Sequence, residues 1–176
     1  DLKLSRGLGD VYKRQASVGA SFTGKLAVTG TSGPGLALKS ETISLALSAE
    51  LPLVIVNVQR GGPSTGLPTK PEQSDLMFAL YGRHGESPLP VIAAKSPSHA
   101  FYAAYEASRI ALKYMTPVIL LSDNYVATGS EPWNLPKIEE LNNLDTNIIT
   151  KLNTEDGFLP FLRNVDTFAR PWALPG

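Results

Sequence analysis

Short apolar runs alternate along this chain with polar turns and longer amphipathic stretches. The runs at residues 26–29, 53–58, 90–94 and 117–121 have the length and β-branched content of strands, and the run at 53–58 is almost unbroken. Such a run is typical of a strand covered on both sides. Because strands that alternate with helical stretches form parallel sheets, the pattern predicts an α/β fold: a doubly wound, mostly parallel sheet with helices on both faces.

Helices are predicted at residues 36–50, 71–80 and 97–114, between these strands. The last is the clearest, because Ser96 can cap it and Pro97 can occupy its first turn. Its expected buried stripe follows a period of 3.6 residues and consists of Phe101, Ala104, Tyr105, Ser108, Ala111 and Leu112. Residues 131–150 resemble an exit linker, and the proline-rich end at 158–176 shows no core of its own.

Composition excludes several functional classes. The net charge is zero and the basic residues are scattered, which argues against a nucleic-acid or anionic-membrane partner. No apolar run approaches the roughly 20 residues that cross a bilayer. The chain has no cysteine, so we expect any iron–sulfur cluster to be held by another subunit. Together with the lack of a signal-like apolar stretch in the first residues, this favours a cytoplasmic location.

Ligands of parallel sheets bind at the carboxyl ends of the strands, where helix N-termini and loops gather. Three segments follow predicted strands in this way: residues 31–35, 59–70 and 123–130. The first contains Thr31, Ser32, Gly33, Pro34 and Gly35, whose glycines permit close approach of the backbone. It is not a Walker loop, because no Gly-Lys-Ser/Thr follows. A glycine-rich turn alone is more often tight packing than a binding site, so both interpretations stay open.

The second segment places Arg60 directly after the buried strand, where the backbone would hold it rigidly. Its planar guanidinium suits a carboxylate, and the hydroxyls of Ser64, Thr65 and Thr69 are available for the remaining oxygens. The sequence therefore predicts an anion pocket in this loop. The alternative is an ordinary surface loop with a salt bridge.

Arg83 and His84 lie between glycines at the end of the predicted helix at 71–80. A histidine there is commonly only a surface group stabilised by the helix dipole. His99 occupies an ordinary helical position, and no two-histidine metal spacing exists, so no metal site is expected in this chain. A serine or cysteine nucleophile is not expected either, because there is no cysteine and no Gly-x-Ser-x-Gly elbow.

Four long strings carry a family resemblance: TGTSGPGLALKSE, VQRGGPSTGLPTK, GRHGESPLPVIAA and KYMTPVILLSDNYVATGSEPW. They resemble the pyrimidine-binding domain in the alpha subunit of 2-oxoacid:ferredoxin (acceptor) oxidoreductases, nearest to the 2-oxoglutarate type. The resemblance covers residues 16–176. It implies a thiamine diphosphate pyrimidine-binding domain at 16–130, followed by a linker at 131–176 toward a C-terminal domain that the chain lacks.

The resemblance also implies an activity, the oxidative decarboxylation of a 2-oxo acid with coenzyme A to an acyl-CoA and carbon dioxide, with electrons passing to ferredoxin. Residues 31–35 would lie against the aminopyrimidine, and Arg60 would bind the substrate carboxylate with Thr69 nearby. Arg83 or His84 is the candidate for the second carboxylate of 2-oxoglutarate. A beta subunit would hold the diphosphate and Mg²⁺, and partner subunits the iron–sulfur cluster.

One departure from the family concerns the glutamate that activates the cofactor, which is expected several residues before Ala16. Residues 1–15 match nothing in the family, so we expect an unrelated segment joined to an incomplete subunit that is inactive alone. Two alternatives remain: a non-catalytic binding or interaction module that retains the fold, or another thiamine diphosphate enzyme such as one of acetolactate-synthase type. The Arg-Gly-Gly-Pro-Ser-Thr loop argues against the latter.

Overall fold

The computed structural model describes residues 10–173 and 175. Most of the predicted unmatched segment at 1–15 therefore lies outside the described residues. The first element is helix α1 (Asp10–Phe22), which runs across the boundary proposed at residue 16. Among the described residues, no helix has the length and apolar character needed to cross a membrane.

The described core is a four-stranded sheet made of β1 (Ala27–Thr31), β2 (Leu53–Gln59), β3 (Val91–Ala93) and β4 (Pro117–Asp123). The strand order is β1-β2-β4-β3, and each neighbouring pair is parallel. The predicted strands are thus confirmed, with shifts of one or two residues at their ends. β2 and β4 are buried along most or all of their length, as their apolar runs required.

Helices cover both faces, which confirms the doubly wound architecture. On one face α2 (Gly33–Ser48) and α3 (Leu76–Tyr81) contribute to a core with β1, β2 and β4. On the other face α4 (Pro97–Tyr114) packs on Val54 and Val118. Adjacent residues such as Val54 and Ile55 belong to different cores because side chains alternate across a strand.

Two helix predictions need correction. α2 begins at Gly33, not at residue 36, because Ser32 takes the N-cap position and Pro34 fits the first turn, where its missing N–H removes no helical bond. The intervening turn is therefore short. α3 begins at Leu76, not at residue 71, because the preceding polar side chains bind neighbouring strands and do not continue a helix.

The bounds of α4 are as predicted, but its buried stripe is confirmed only at Ala111 and Leu112. The buried residues are Ala103, Ala107, Ala111 and Leu112. Phe101, expected in the stripe, is 38% exposed and packs on Trp133 with ring centroids 5.3 Å apart. Small alanines let the helix axis approach the flat sheet closely, which a stripe of aromatic side chains would prevent.

After β4 the chain forms α5 (Asn124–Thr128), which the pattern did not predict. A 3₁₀ turn (Ile138–Glu140) and a small parallel pair follow, formed by β5 (Ile148–Ile149) and β6 (Trp172–Ala173).

The end of the chain packs back onto the domain. Trp172 is 0% exposed and joins Leu112, Met115 and Ala169 in a third core, while its Nε1 donates to the carbonyl of Ser21 at 3.1 Å. Residues 158–173 thus have no separate core but complete the domain core. Whether 131–176 leads to a further domain stays a prediction.

Replacing Trp172 by alanine is expected to lower the free energy of unfolding by about 3–5 kcal/mol, because it empties a fully buried site. Denaturant unfolding followed by circular dichroism measures this. Trp133→Ala is the matched control, since Trp133 is 38% exposed and should cost less than about 1.5 kcal/mol. Equal losses for the two variants would contradict the packing role of the C-terminal segment.

Asp123 should make stability depend on pH. Burial alone raises the pKa of this carboxyl, but hydrogen bonds from the Gln73 side chain and from the backbone N–H groups of Val126 and Tyr125 outweigh burial and leave the pKa below its usual range. The resulting stabilisation is present above the unfolded pKa and is lost as pH falls through the folded pKa. The stability difference between wild type and Asp123→Asn should be largest above about pH 5 and shrink in acid. A difference that stays constant down to about pH 2 would contradict this prediction.

Candidate functional site

The carboxyl ends of three strands meet at one edge of the sheet. Thr31 pairs with Asn57, and Gln59 pairs with Asp123, so β1, β2 and β4 end within a few residues of one another. The three predicted ligand segments therefore share this edge. In particular, the turn before α2 and Arg60 follow neighbouring parallel strands.

The turn after β1 leaves polar groups available. Ser32 occupies the N-cap of α2, but its side chain makes no capping hydrogen bond; its carbonyl accepts from Leu36 N at 2.8 Å and from Thr31 Oγ1 at 3.4 Å. A Cβ on Gly33 would lie 2.9 Å from Asp75 Oδ2, so a side chain there would require the carboxylate to shift. The backbone is thus closely approached from one side, while the hydroxyl of Ser32 remains uncommitted to the helix.

Residues 72–75, which we call the edge segment, cross the ends of the strands. Gln73 Nε2 donates to Asp123 Oδ2 at 2.6 Å, at the end of β4. Asn57 Nδ2 donates to Asp75 Oδ2 at 2.9 Å, and Asp75 N donates to Gln59 Oε1 at 2.9 Å. The apolar pattern predicted a helix at 71–80 and therefore gave no indication of this segment. Its signal was the run of acid and amide side chains just before Leu76.

The loop after β2 is closed by its own backbone. Gly61 N donates to Lys70 O at 2.7 Å, and Leu67 N donates to Gly61 O at 3.3 Å. Gly62 N donates to Glu72 Oε2 at 2.9 Å, which ties the loop to the edge segment and lowers the pKa of that glutamate. The loop therefore has a defined shape.

The three hydroxyl residues predicted for the anion pocket lie in this closed loop. Ser64, Thr65 and Thr69 are all exposed. Ser64 has a φ of 53°, in the left-handed region, and the carbonyl of Thr69 accepts from Asn124 Nδ2 at 3.0 Å. The loop is thus joined to α5 as well, and its hydroxyls face solvent.

Arg60 has an unused donor. It follows β2 directly and is half-buried, and its Nε is inaccessible to solvent without a hydrogen-bond acceptor among the described residues. Asn57 Oδ1, three residues earlier, is likewise buried without a donor in that part of the chain. Leaving such groups unpaired costs about 1–3 kcal/mol each, so this end of β2 suits a polar ligand.

Lys39 is a buried cation that sequence analysis missed. It is 1% exposed, lies in α2, and its Nζ donates to Thr29 Oγ1 at 3.4 Å and to Gly30 O at 3.3 Å, behind β1. The sequence offered no signal, because an isolated lysine in an amphipathic helix normally faces water.

Arg83 is placed differently from the prediction. Its Nη1 donates to Ala79 O at 2.7 Å, and its Nη2 donates to Leu80 O at 3.0 Å and to Ser87 O at 2.9 Å. The guanidinium thus caps α3 and holds the following turn, in the connection to the amino end of β3. These contacts do not support a substrate-binding role. His84, next to it, is exposed.

Two further features concern possible metal binding and a cavity away from this edge. Within residues 10–173, no cluster of three or more histidine, aspartate or glutamate side chains could hold a metal ion. A cavity of about 680 Å³ lies between the end of α4 and the C-terminal segment, with Arg109, Lys113, Arg163 and Arg170 in its wall. It adjoins Met115, just before β4 begins, and contains none of the predicted site residues.

Comparison with known proteins identifies the domain. Residues 13–156 match the family model described as pyruvate flavodoxin/ferredoxin oxidoreductase, thiamine diphosphate-binding. The chain is 53% identical over 161 residues to the 2-oxoglutarate oxidoreductase subunit KorA of Mycobacterium tuberculosis, covering 92% of this chain and 24% of that protein. It is 45% identical over 132 residues to the 2-oxoglutarate synthase subunit KorA of Archaeoglobus fulgidus, covering 75% of this chain and 38% of the relative.

A solved structure is similar over almost the whole chain. It is the 2-oxoglutarate:ferredoxin oxidoreductase from Magnetococcus marinus with 2-oxoglutarate, coenzyme A and succinyl-CoA bound, and it matches with a TM-score of 0.81 and 38% identity over 95% of this chain and 28% of that one. The chain thus spans 24% to 38% of the length of these longer proteins. On this basis the chain belongs to the pyruvate flavodoxin/ferredoxin oxidoreductase family and carries its thiamine diphosphate-binding domain.

Proposed function

We propose that this chain is part of the alpha subunit of a 2-oxoglutarate:ferredoxin oxidoreductase, which converts 2-oxoglutarate and coenzyme A to succinyl-CoA and carbon dioxide. The names of the relatives from M. tuberculosis and A. fulgidus support the 2-oxoglutarate type. The ligands bound to the M. marinus enzyme support the same substrate and product. The domain itself would provide one side of the thiamine diphosphate site.

The residues at the strand ends fit the cofactor. Thiamine diphosphate supplies the electron sink that decarboxylation of a 2-oxo acid needs. The turn at Ser32 and Gly33 would lie against its aminopyrimidine, because it stands at this edge of the sheet and the hydroxyl of Ser32 is not used in helix capping. The Oδ1 of Asn57 and the Nε of Arg60 have no hydrogen-bond partner within the described part of the chain, which supports a polar ligand at this edge.

The environment of the Arg60 side chain is the observation that carries the proposal. A guanidinium stays charged at all physiological pH values, and its Nε lies buried without an acceptor among the described residues. The carboxylate of a 2-oxo acid would satisfy it with a charge-assisted hydrogen bond. Thr69, Ser64 and Thr65, in the same closed loop, would supply hydroxyls around the bound anion.

The other parts of the reaction are proposed to lie on partners. The chain contains no cysteine, so the iron–sulfur cluster that passes electrons to ferredoxin would be bound elsewhere in the complex. A beta subunit would hold the diphosphate and Mg²⁺. For the second carboxylate of 2-oxoglutarate, His84 is the remaining candidate in this chain, since Arg83 is engaged with backbone carbonyls.

In the complete enzyme, Arg60→Ala is expected to lower kcat/KM for 2-oxoglutarate roughly 30- to 1000-fold, because the substrate carboxylate loses its buried partner. This factor corresponds to a loss of about 2–4 kcal/mol in transition-state stabilisation. Steady-state kinetics with ferredoxin as acceptor measures this. Arg109→Ala is the matched control, since Arg109 is only partly buried, lies on α4 away from this edge and pairs with Glu106. An unchanged kcat/KM in the Arg60 variant would exclude the proposed role.

Replacing Arg83 by alanine is expected to lower the free energy of unfolding by about 1–3 kcal/mol, because carbonyls at the end of α3 lose their donor. The ratio of kcat/KM for 2-oxoglutarate to that for pyruvate should stay within about threefold of wild type. His84→Ala, in contrast, should lower this ratio at least about tenfold if His84 binds the second carboxylate. The opposite result, a fall only in the Arg83 variant, would assign that carboxylate to Arg83.

A further inference from the structure

Asp75 stands at a capping position but does not cap its helix. It is the N-cap residue of α3, and its side chain makes no capping hydrogen bond. In the same domain Ser96 accepts from His99 N, and Asp123 accepts from Val126 N, as N-cap residues normally do. Its backbone is helical there, whereas Ser96 and Asp123 have the extended backbone of a capping residue, so the carboxylate of Asp75 is used elsewhere.

Its carboxylate lies between β2 and the beginning of α2. Asn57 Nδ2 donates to Oδ2 at 2.9 Å, which fixes the carboxylate on the strand. A Cβ on Gly33 would lie 2.9 Å from Oδ2 and 3.0 Å from Oδ1, so the carboxylate rests directly against the first residue of α2. Negative charge at a helix N-terminus is favourable because the helix dipole is positive there.

The backbone of Asp75 is fixed as well. Its N–H donates to Gln59 Oε1 at 2.9 Å. Two alternate residues of β2 therefore hold Asp75: Asn57 binds its carboxylate, and Gln59 binds its backbone N–H. Gln73, two residues earlier, is bound to Asp123 at the end of β4. The side chain that touches Gly33 is thus bound to β2, and the segment before it is bound to β4, so Asp75 has little freedom to move aside.

From these contacts we infer that Asp75 is a positioning residue for thiamine diphosphate. It holds the Ser32–Gly33 turn at a fixed distance from the end of β2, so that the surface offered to the aminopyrimidine exists before the cofactor binds. This inference rests on the proposed function for its ligand. The contact between Asp75 and α2 does not depend on it.

The experiment uses the complete complex of alpha and beta subunits with Asp75→Ala, Asp75→Asn, Gly33→Ala and Leu112→Ala. Leu112 is buried at the other end of the domain and serves as the control for lost stability. Two measurements are made on each variant: hydrogen exchange at the amides of the first turn of α2 without cofactor, foremost Leu36, whose N–H donates to Ser32 O, and the calorimetric Kd for thiamine diphosphate.

Asp75→Ala and Gly33→Ala are expected to speed exchange at Leu36 at least about fivefold and to weaken cofactor binding about tenfold, equivalent to about 1.4 kcal/mol. Asp75→Asn should bind within about threefold of wild type, because its amide oxygen still accepts from Asn57. Leu112→Ala should lower the unfolding temperature but change neither quantity.

Wild-type exchange and affinity in Asp75→Ala would overturn the inference, as would equal changes in Leu112→Ala. If the wild-type complex bound no thiamine diphosphate, the proposed function would fail. The exchange measurement would then still decide whether Asp75 positions the turn.

Discussion

The in-register parallel pairing of β2 with β1 and β4 is the constraint on which the site depends. It places Thr31 beside Asn57 and Gln59 beside Asp123, so loops far apart in the chain begin at one edge. The apolar side chains of β2 and β4 make this register costly to change, because a shift of one residue would move each of them to the other face. The rigid core thus sets the positions of the polar residues above it.

A layer of buried polar groups lies between that core and the edge. Asn57, Gln59 and Asp123 are almost inaccessible to solvent, and each bonds to the edge segment. Hydrogen bonds in such surroundings are strong, and an unpaired partner is expensive, so the layer tolerates few alternative arrangements. The edge segment is held in place by these groups, and in the role inferred for Asp75 they would fix the glycine turn before a ligand binds.

Two kinds of residue lie at this edge: residues that directly follow strands, and exposed hydroxyl residues in a closed loop. Arg60 and the Ser32 turn follow strands directly, so their positions are inherited from the sheet. Ser64, Thr65 and Thr69 lie in a loop that is closed on itself and tied to Glu72 and Asn124. In the proposed function the first group would set the geometry of cofactor and substrate, and the second would adjust to the bound anion.

Several helices and strands could be predicted from the sequence because their signals are local. Periodicity and turn chemistry act between near neighbours in the chain. They therefore predicted the β-branched run of β2, the capping and proline signals of α4 and the position of Arg60 after a buried strand. Tertiary structure alone decided the capping role of Arg83, the burial of Trp172, the alanine face of α4 and the edge segment. Asn57 and Asp75 are 18 residues apart, and Gln73 and Asp123 are 50 residues apart. No local pattern encodes such pairs, since these side chains find their partners only after the strands have assembled.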